Sequence, residues 1–217
     1  MIFEIIGIIL LGYLIGSIPF GLIIGKLRRG IDIREYGSGN IGFTNVLRSV
    51  GVKAGITCLI ADIAKGAVPA LLGAIIIGDS TAEIGGLTFD DQGGQAIAAF
   101  AAVIGHNWSV YIKFRGGKGV DTSLGGMLAM SPLAGAICLV IGVGTIAKSR
   151  YVSLGSMVGG CCGIIVLAPL VAADYEPIEY LIYAVIVALL IIMRHRDNIE
   201  RLRDGTESKI GQKGEKR

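Results

Sequence analysis

Long apolar runs alternate with short polar islands along this chain, and the lengths of the runs set its architecture. Apolar segments extend from about Ile2 to Ile24, Val52 to Ile77, Ala96 to Ile112, Val120 to Ala147, Val152 to Ala173 and Ile178 to Met193. A helix needs about 20 apolar residues to cross the hydrocarbon core of a bilayer, so these segments read as membrane helices. The fourth is long and carries Ser131-Pro132 near its middle. Proline has no N–H to donate and pushes its predecessor out of the helical region. That segment therefore predicts a hairpin of two helices. Its leading half is too short for a full span and reads as re-entrant, which backbone at membrane depth tolerates only when protein or a watery cavity covers it.

Charge gives the orientation, because loops rich in Lys and Arg stay in the cytoplasm. Lys26, Arg28, Arg29, Arg34, Arg48 and Lys53 follow the first segment. Lys113, Arg115 and Lys118 follow the third, Lys148 and Arg150 follow the hairpin, and Arg194, Arg196, Arg201, Arg203 and Lys209 begin the tail. The other loops are acidic, with Asp79, Glu83, Asp90 and Asp91 in one and Asp174, Glu176 and Glu179 in another. The expectation is an all-α, polytopic integral membrane bundle of about seven membrane segments, N-terminus out and C-terminus in. Residues 1–217 form one domain, with 194–217 as a cytoplasmic basic tail.

Composition agrees. The 217 residues are 53% hydrophobic and only 17% charged, against about a quarter charged in soluble domains. The mean hydropathy is +0.69. The 34 glycines suit close approach of membrane helices. The first segment has neither a basic lead nor a small-residue cleavage site and reads as a retained helix. Cys58, Cys138, Cys161 and Cys162 fall in apolar runs without a CxxC pair and read as buried free thiols. Nothing in the sequence points to a nucleic-acid partner.

The chemistry sits in the islands, and all of them fall on the expected cytoplasmic side. The first runs Gly37-Ser38-Gly39-Asn40-Ile41-Gly42-Phe43-Thr44-Asn45-Val46-Leu47-Arg48, and the second Lys113-Phe114-Arg115-Gly116-Gly117-Lys118-Gly119. Glycine lets a backbone approach a ligand, and with Arg and Lys the fitting ligand is an anion such as phosphate. The first island reads as an anion and hydroxyl clamp, or as a capped turn. The second is not a Walker A loop, since Ile112 and Gly119 stand where that pattern needs Gly and Ser or Thr. Lys118 reads as the point charge of a simpler phosphate cradle, and Lys113 and Arg115 as headgroup contacts.

Other polar groups are more ambiguous. Asp62 and Lys65 lie one helical turn apart inside a span, either as a structural ion pair or as functional groups. Ser153 and Ser156 open a segment as helix caps or as site residues. His195 and Asn198 share a helix face just beyond the last segment, and His106 lies beside the second island. No metal site is expected, because neither histidine has a third ligand nearby. No Gly-x-Ser-x-Gly, HxxxxD or CxxC nucleophile pattern occurs, so the substrate should arrive already activated. A transporter or binding protein for anionic phosphorylated solutes or lipids would use similar loops. Islands gathered on one face, without paired half-repeats, argue against it.

These residues resemble those of a known family. Gly16-Ser17-Ile18-Pro19-Phe20 with the first island, Gly116-Gly117-Lys118-Gly119-Val120 with Thr122, Arg150-Tyr151-Val152-Ser153-Leu154, Arg194-His195-Arg196-Asp197-Asn198-Ile199-Glu200-Arg201-Leu202 and Gly205-Thr206-Glu207 are similar, in order and spacing, to the motifs of the bacterial acyl-phosphate:glycerol-3-phosphate acyltransferases, the PlsY family. Phe43 and Asp121 stand where that pattern has Ala, and both the loop 78–94 and the tail are longer. The resemblance implies acyl phosphate and glycerol 3-phosphate as substrates, membrane lipids as surroundings, a bacterial plasma membrane as location and no cofactor. It places Ser38, Arg48, Lys118, His195 and Asn198 at the reaction. Gly37, Gly39, Asn40, Asn45, Gly116, Gly117, Gly119 and Ser153 would hold substrate.

Overall fold

The computed structural model describes residues 1–84, 87–212 and 214–216. Among the described residues ten α-helices follow one another: α1 (Ile2–Gly16), α2 (Phe20–Arg29), α3 (Phe43–Ser49), α4 (Val52–Ile77), α5 (Asp91–Asn107), α6 (Val120–Met130), α7 (Pro132–Ser149), α8 (Val152–Ala172), α9 (Ile178–Arg194) and α10 (Arg196–Arg203). Between α4 and α5 a short antiparallel hairpin pairs β1 (Ala82–Ile84) with β2 (Leu87–Phe89). It lies in the extended loop 78–94, of which residues 85 and 86 fall outside the described residues.

Among the described residues four helical stretches are both long and apolar enough to cross a membrane: Ile2–Arg29, α4, α7 and α8. A fifth forms if α9 is joined to α10, which bends away by 58° just below His195. The fold is thus the expected helical membrane bundle. Helices α5 and α9 have 17 residues each and α6 has 11. The long fourth apolar run is broken at Ser131, as the proline requires. The Ser131 hydroxyl donates to Glu176 Oε1 at 2.5 Å, so the hairpin tip and the acidic α8–α9 loop share one end of the bundle.

The third apolar segment starts earlier than hydropathy suggests, at Asp91 rather than Ala96, and ends at Asn107 rather than Ile112. Asp90 explains the start: its side chain accepts from the N–H groups of Gln92 and Gly93 at 3.0 and 3.1 Å, a cap that satisfies otherwise orphaned donors. A polar first turn therefore extends the helix beyond the apolar run.

Small residues bring α4 and α6 into close contact. A side chain at Gly66 would strike the Thr122 carbonyl, and one at Gly125 would strike the Ile63 carbonyl. Without a hydrophobic drive between helices in lipid, such approach supplies the packing. It holds the N-terminal end of α6, and the second island before it, against α4. The basic loops, α3 and α10 then meet at the end of the bundle opposite Ser131.

Candidate active site

Between α4, α6, α7, α8 and α9 lies a cavity of about 370 Å³ that opens at the basic end. Its lining on α9 runs from Tyr183 to beyond the helix at His195, a depth of about 18 Å at 1.5 Å per residue. The deep arm is apolar: Leu139, Val143 and Ile146 face Gly155 and Gly159 across the α7–α8 seam, with Val187 and Ile191 behind. The mouth is polar and gathers Ser38, Asn40, Asn45, Arg48, Lys118, Gly119, Ser153, His195 and Asn198 from segments far apart in sequence. Gly37, Gly39, Gly116 and Gly117 do not line it, and Lys113 and Arg115 are solvent-exposed.

The first island is a self-bonded loop. Gly37 and Gly39 take φ values of 51° and 70°, which residues with a Cβ adopt at a cost. Asn45 is buried, and its amide donates to the carbonyls of Ile33, Tyr36 and Asn40 at 2.9, 3.0 and 2.8 Å while its Oδ1 accepts from Ser38 N–H at 3.1 Å. All its hydrogen-bonding capacity goes into shaping the loop. Ser38 and Asn40 remain at the cavity edge, and α3 carries Arg48 to the wall. Arg48 Nη2 donates to the carbonyls of Ser208 and Lys209, both at 3.1 Å, while its buried Nε has no partner. The guanidinium thus keeps a donor for an anion. Burial lowers its pKa, with Glu207 opposing, yet arginine stays charged.

The second island works differently from a cradle of free N–H groups. Gly116 N–H donates to the Asn107 carbonyl at 3.2 Å and Gly117 N–H to the His106 carbonyl at 2.9 Å. Arg194, its guanidinium stacked 5.5 Å over Trp108, donates to the Gly117 carbonyl at 2.7 Å. The glycines let this loop lie flat against the end of α5, and Lys118 projects from it into the mouth. Burial pushes the Lys118 ammonium down to about 8, with Arg201 and Arg194 adding to the shift and Glu207 and Asp197 opposing it. Lys118 Nζ donates to Asn198 Oδ1.

His195 sits where α9 breaks into α10. Its Nδ1 lies 2.8 Å from the Ile191 carbonyl, which can only accept, so Nδ1 carries the proton and Nε2 bears the lone pair. Burial, then the charge of Lys118, pushes its pKa down to about 4. At neutral pH it is a neutral imidazole, held in one tautomer and suited to accept a hydrogen bond.

Glu207 does not stand out in the sequence as a site residue, yet it organises this mouth. Its Oε1 accepts from Ser153 Oγ and Asn198 Nδ2, both at 2.6 Å, and its Oε2 from Arg201 Nε at 2.7 Å. Burial pushes its carboxyl up, but the hydrogen bonds from Ser153, Asn198 and Arg201 outweigh that, and its pKa is lowered. The Gly205-Thr206-Glu207 pattern was the available signal. Nor is the tail simply solvated: Ile210 N–H donates to the Arg150 carbonyl at 2.8 Å and Gly214 N–H to the Arg48 carbonyl at 3.2 Å. Asp121 also lines the cavity from the first turn of α6.

Among the described residues no cluster of three or more His, Cys, Asp or Glu side chains could hold a metal ion. What the site offers is two separate cations, an oriented hydrogen-bond acceptor and an apolar channel.

The chain is similar to known proteins along most of its length. The model of the family described as "Glycerol-3-phosphate acyltransferase" matches residues 6–205. A glycerol-3-phosphate acyltransferase of Thermoanaerobacter sp. (strain X514) is 44% identical over 206 residues, covering 95% of this chain and 96% of that protein. Two crystal structures of PlsY, an integral membrane glycerol 3-phosphate acyltransferase, are 36% identical and cover 95% of this chain. The glycerol 3-phosphate form superposes with a TM-score of 0.82 over 96% of that chain, and the lysophosphatidic acid form with 0.81 over 95%.

Proposed function

This chain belongs to the glycerol-3-phosphate acyltransferase family, and we propose that it transfers an acyl chain from acyl phosphate to the sn-1 hydroxyl of glycerol 3-phosphate, yielding lysophosphatidic acid and phosphate. The observation that carries this reading is the meeting of Arg48 and Lys118, on separate loops, at the polar mouth of a cavity whose other arm is apolar. Two phosphates and one hydrocarbon chain are what these substrates bring.

Arg48 suits bidentate capture of one phosphate through its planar fork, and Lys118 suits a point-charge contact to the other. Ser38, Asn40 and Asn198 supply hydrogen bonds. His195 Nε2 accepts from the attacking hydroxyl and orients its oxygen toward the acyl carbon. With its pKa near 4 it is a weak base, so the proton passes to the departing phosphate. The hydroxyl oxygen forms the new ester bond, the anhydride C–O bond breaks, and phosphate leaves with the electron pair. Arg48 and Lys118 stabilise the charge that moves onto it, so rate enhancement comes from positioning and preorganised charge. The acyl chain lies along the α7–α8 seam. No protein nucleophile is needed, because the mixed anhydride is already activated.

The chain is one catalytic domain in the bacterial plasma membrane, with seven membrane segments (α1 continued by α2, and α4 to α9), N-terminus out and the cavity mouth in the cytoplasm. The positive-inside rule supports this, as does the separation of Ser131 and Glu176 from the basic end.

The donor is tested by offering purified protein glycerol 3-phosphate with acyl phosphate, acyl-CoA or acyl carrier protein thioester. Acyl phosphate should yield lysophosphatidic acid and equimolar phosphate. Turnover with a thioester and none with acyl phosphate overturns the donor assignment.

A further inference from the structure

We infer that Asp62, together with Lys65 and His106, is a positioning group that holds the Arg48 loop and the Lys118 loop in register for acyl transfer. The inference rests on the reading that these two loops bind the two substrates. Asp62, Lys65 and His106 are 1%, 3% and 4% exposed, and ionisable groups so placed in a membrane helix are costly unless they do something.

The contacts of this buried array lead outward to both loops. Lys65 Nζ lies 2.9 Å from Asp62 Oδ1 and donates to the Ile18 carbonyl at 3.0 Å. Ile18 stands in the break between α1 and α2, and Lys65 also sits 5.8 Å over the Phe20 ring at the start of α2. The Cys58 thiol lies 3.5 Å from Asp62 Oδ2 and 3.9 Å from the carbonyl of Ile41, within the first island. On the other side, His106 Nδ1 is 4.0 Å from Asp62 Oδ1 and has no hydrogen-bond partner of its own. The Nε2 edge of the His106 ring abuts Gly117, next to Lys118, where a Cβ would strike it, and the His106 carbonyl accepts from Gly117 N–H. One carboxylate on α4 thus stands between the two anion loops, reaching one through Cys58 and the other through His106. An ion pair that served only to join helices would have no reason to reach helix breaks and loop carbonyls.

This arrangement separates two kinetic effects. Each clamp keeps its own phosphate contacts when the brace is lost, so substrate affinity survives. Register between the bound substrates does not, and small misplacements of reacting atoms cost rate heavily. Asp62→Asn should therefore lower kcat about tenfold or more while the KM for glycerol 3-phosphate changes less than about threefold. Glycerol 3-phosphate binding measured by calorimetry should retain wild-type stoichiometry, which a partly misfolded sample would not. If Asp62→Asn fails to insert, Asp62→Asn/Lys65→Gln decides, because removing both charges leaves no unpaired ion behind. His106→Gln should show the same split. All are assayed with the acyl donor that the wild-type protein turns over, so a wild-type failure with acyl phosphate counts against the donor and not against the brace. A double variant with kcat within about threefold of wild type overturns the inference, as does a kcat loss matched by an equal loss of binding stoichiometry.

Discussion

Ser153, at the start of α8, donates its hydroxyl to Glu207 Oε1 at 2.6 Å across 54 positions of sequence. The same oxygen accepts from Asn198 at 2.6 Å, whose own Oδ1 receives Lys118. One carboxylate thus sets two polar side chains, and through Asn198 the ammonium, around the cavity mouth. Hydrogen bonds to a charged group are worth about 1.5–3 kcal/mol each. Glu207→Gln should therefore cut kcat/KM for glycerol 3-phosphate by about 10- to 100-fold, and it should lower the thermal midpoint. Steady-state kinetics with a melting curve on the same preparation check this. Unchanged kinetics would show the network to be incidental.

Arg48→Ala should abolish most activity while the protein still inserts and purifies. Arg48→Lys should recover only part of it, because the planar fork is lost. A lysine variant at full activity would show that Arg48 acts as a point charge.

Lys118 has the opposite character. Its pKa of about 8 lies below the usual lysine value, so it loses its charge at a lower pH than an exposed lysine. The kcat/KM for glycerol 3-phosphate, which reports the free enzyme, should fall as pH rises through about 8. In Lys118→Arg this alkaline limb should vanish, even at lower overall activity, since arginine stays protonated. A limb unchanged in Lys118→Arg would assign it to another group.

Lys113→Ala should be mild, with less than about threefold effect, since Lys113 is exposed and outside the cavity lining. Damage equal to that of Lys118→Ala would relocate the second clamp.

Orientation can be read by labelling. With the four native cysteines replaced, Gly205→Cys should react with an impermeant thiol reagent only from the cytoplasmic side, and Thr81→Cys only from outside. Labelling of both from one side would reject the arrangement.

Much of this protein is legible in the order of its residues. Hydropathy is additive along the chain, so run lengths yield the membrane helices without knowledge of their packing. Pro132 acts on its own backbone and its predecessor, so the hairpin break at Ser131 could be placed in advance. Motif spacing likewise singled out Arg48, Lys118, His195 and Asn198, all of which reach the cavity. Where local signals conflict, reading fails: the start of α5 lies in a polar turn because Asp90 caps it, and hydropathy does not register a cap.

Other features exist only once the helices have packed. Asn45 resembles a ligand-binding residue in sequence, yet its amide is used up on the Ile33, Tyr36 and Asn40 carbonyls. Gly116 and Gly117 looked like donors for phosphate, yet their N–H groups go to the end of α5. Glu207 gains its role from Ser153 and Asn198, and Asp62 from the loops around it. Sequence determined which segments form apolar helices and which side chains could bind an anion, because those properties belong to single residues and their neighbours. Only tertiary structure decided which of those donors and acceptors remain unspent and face one cavity. A hydrogen bond is a short-range contact, and its partner is chosen by how the helices come together.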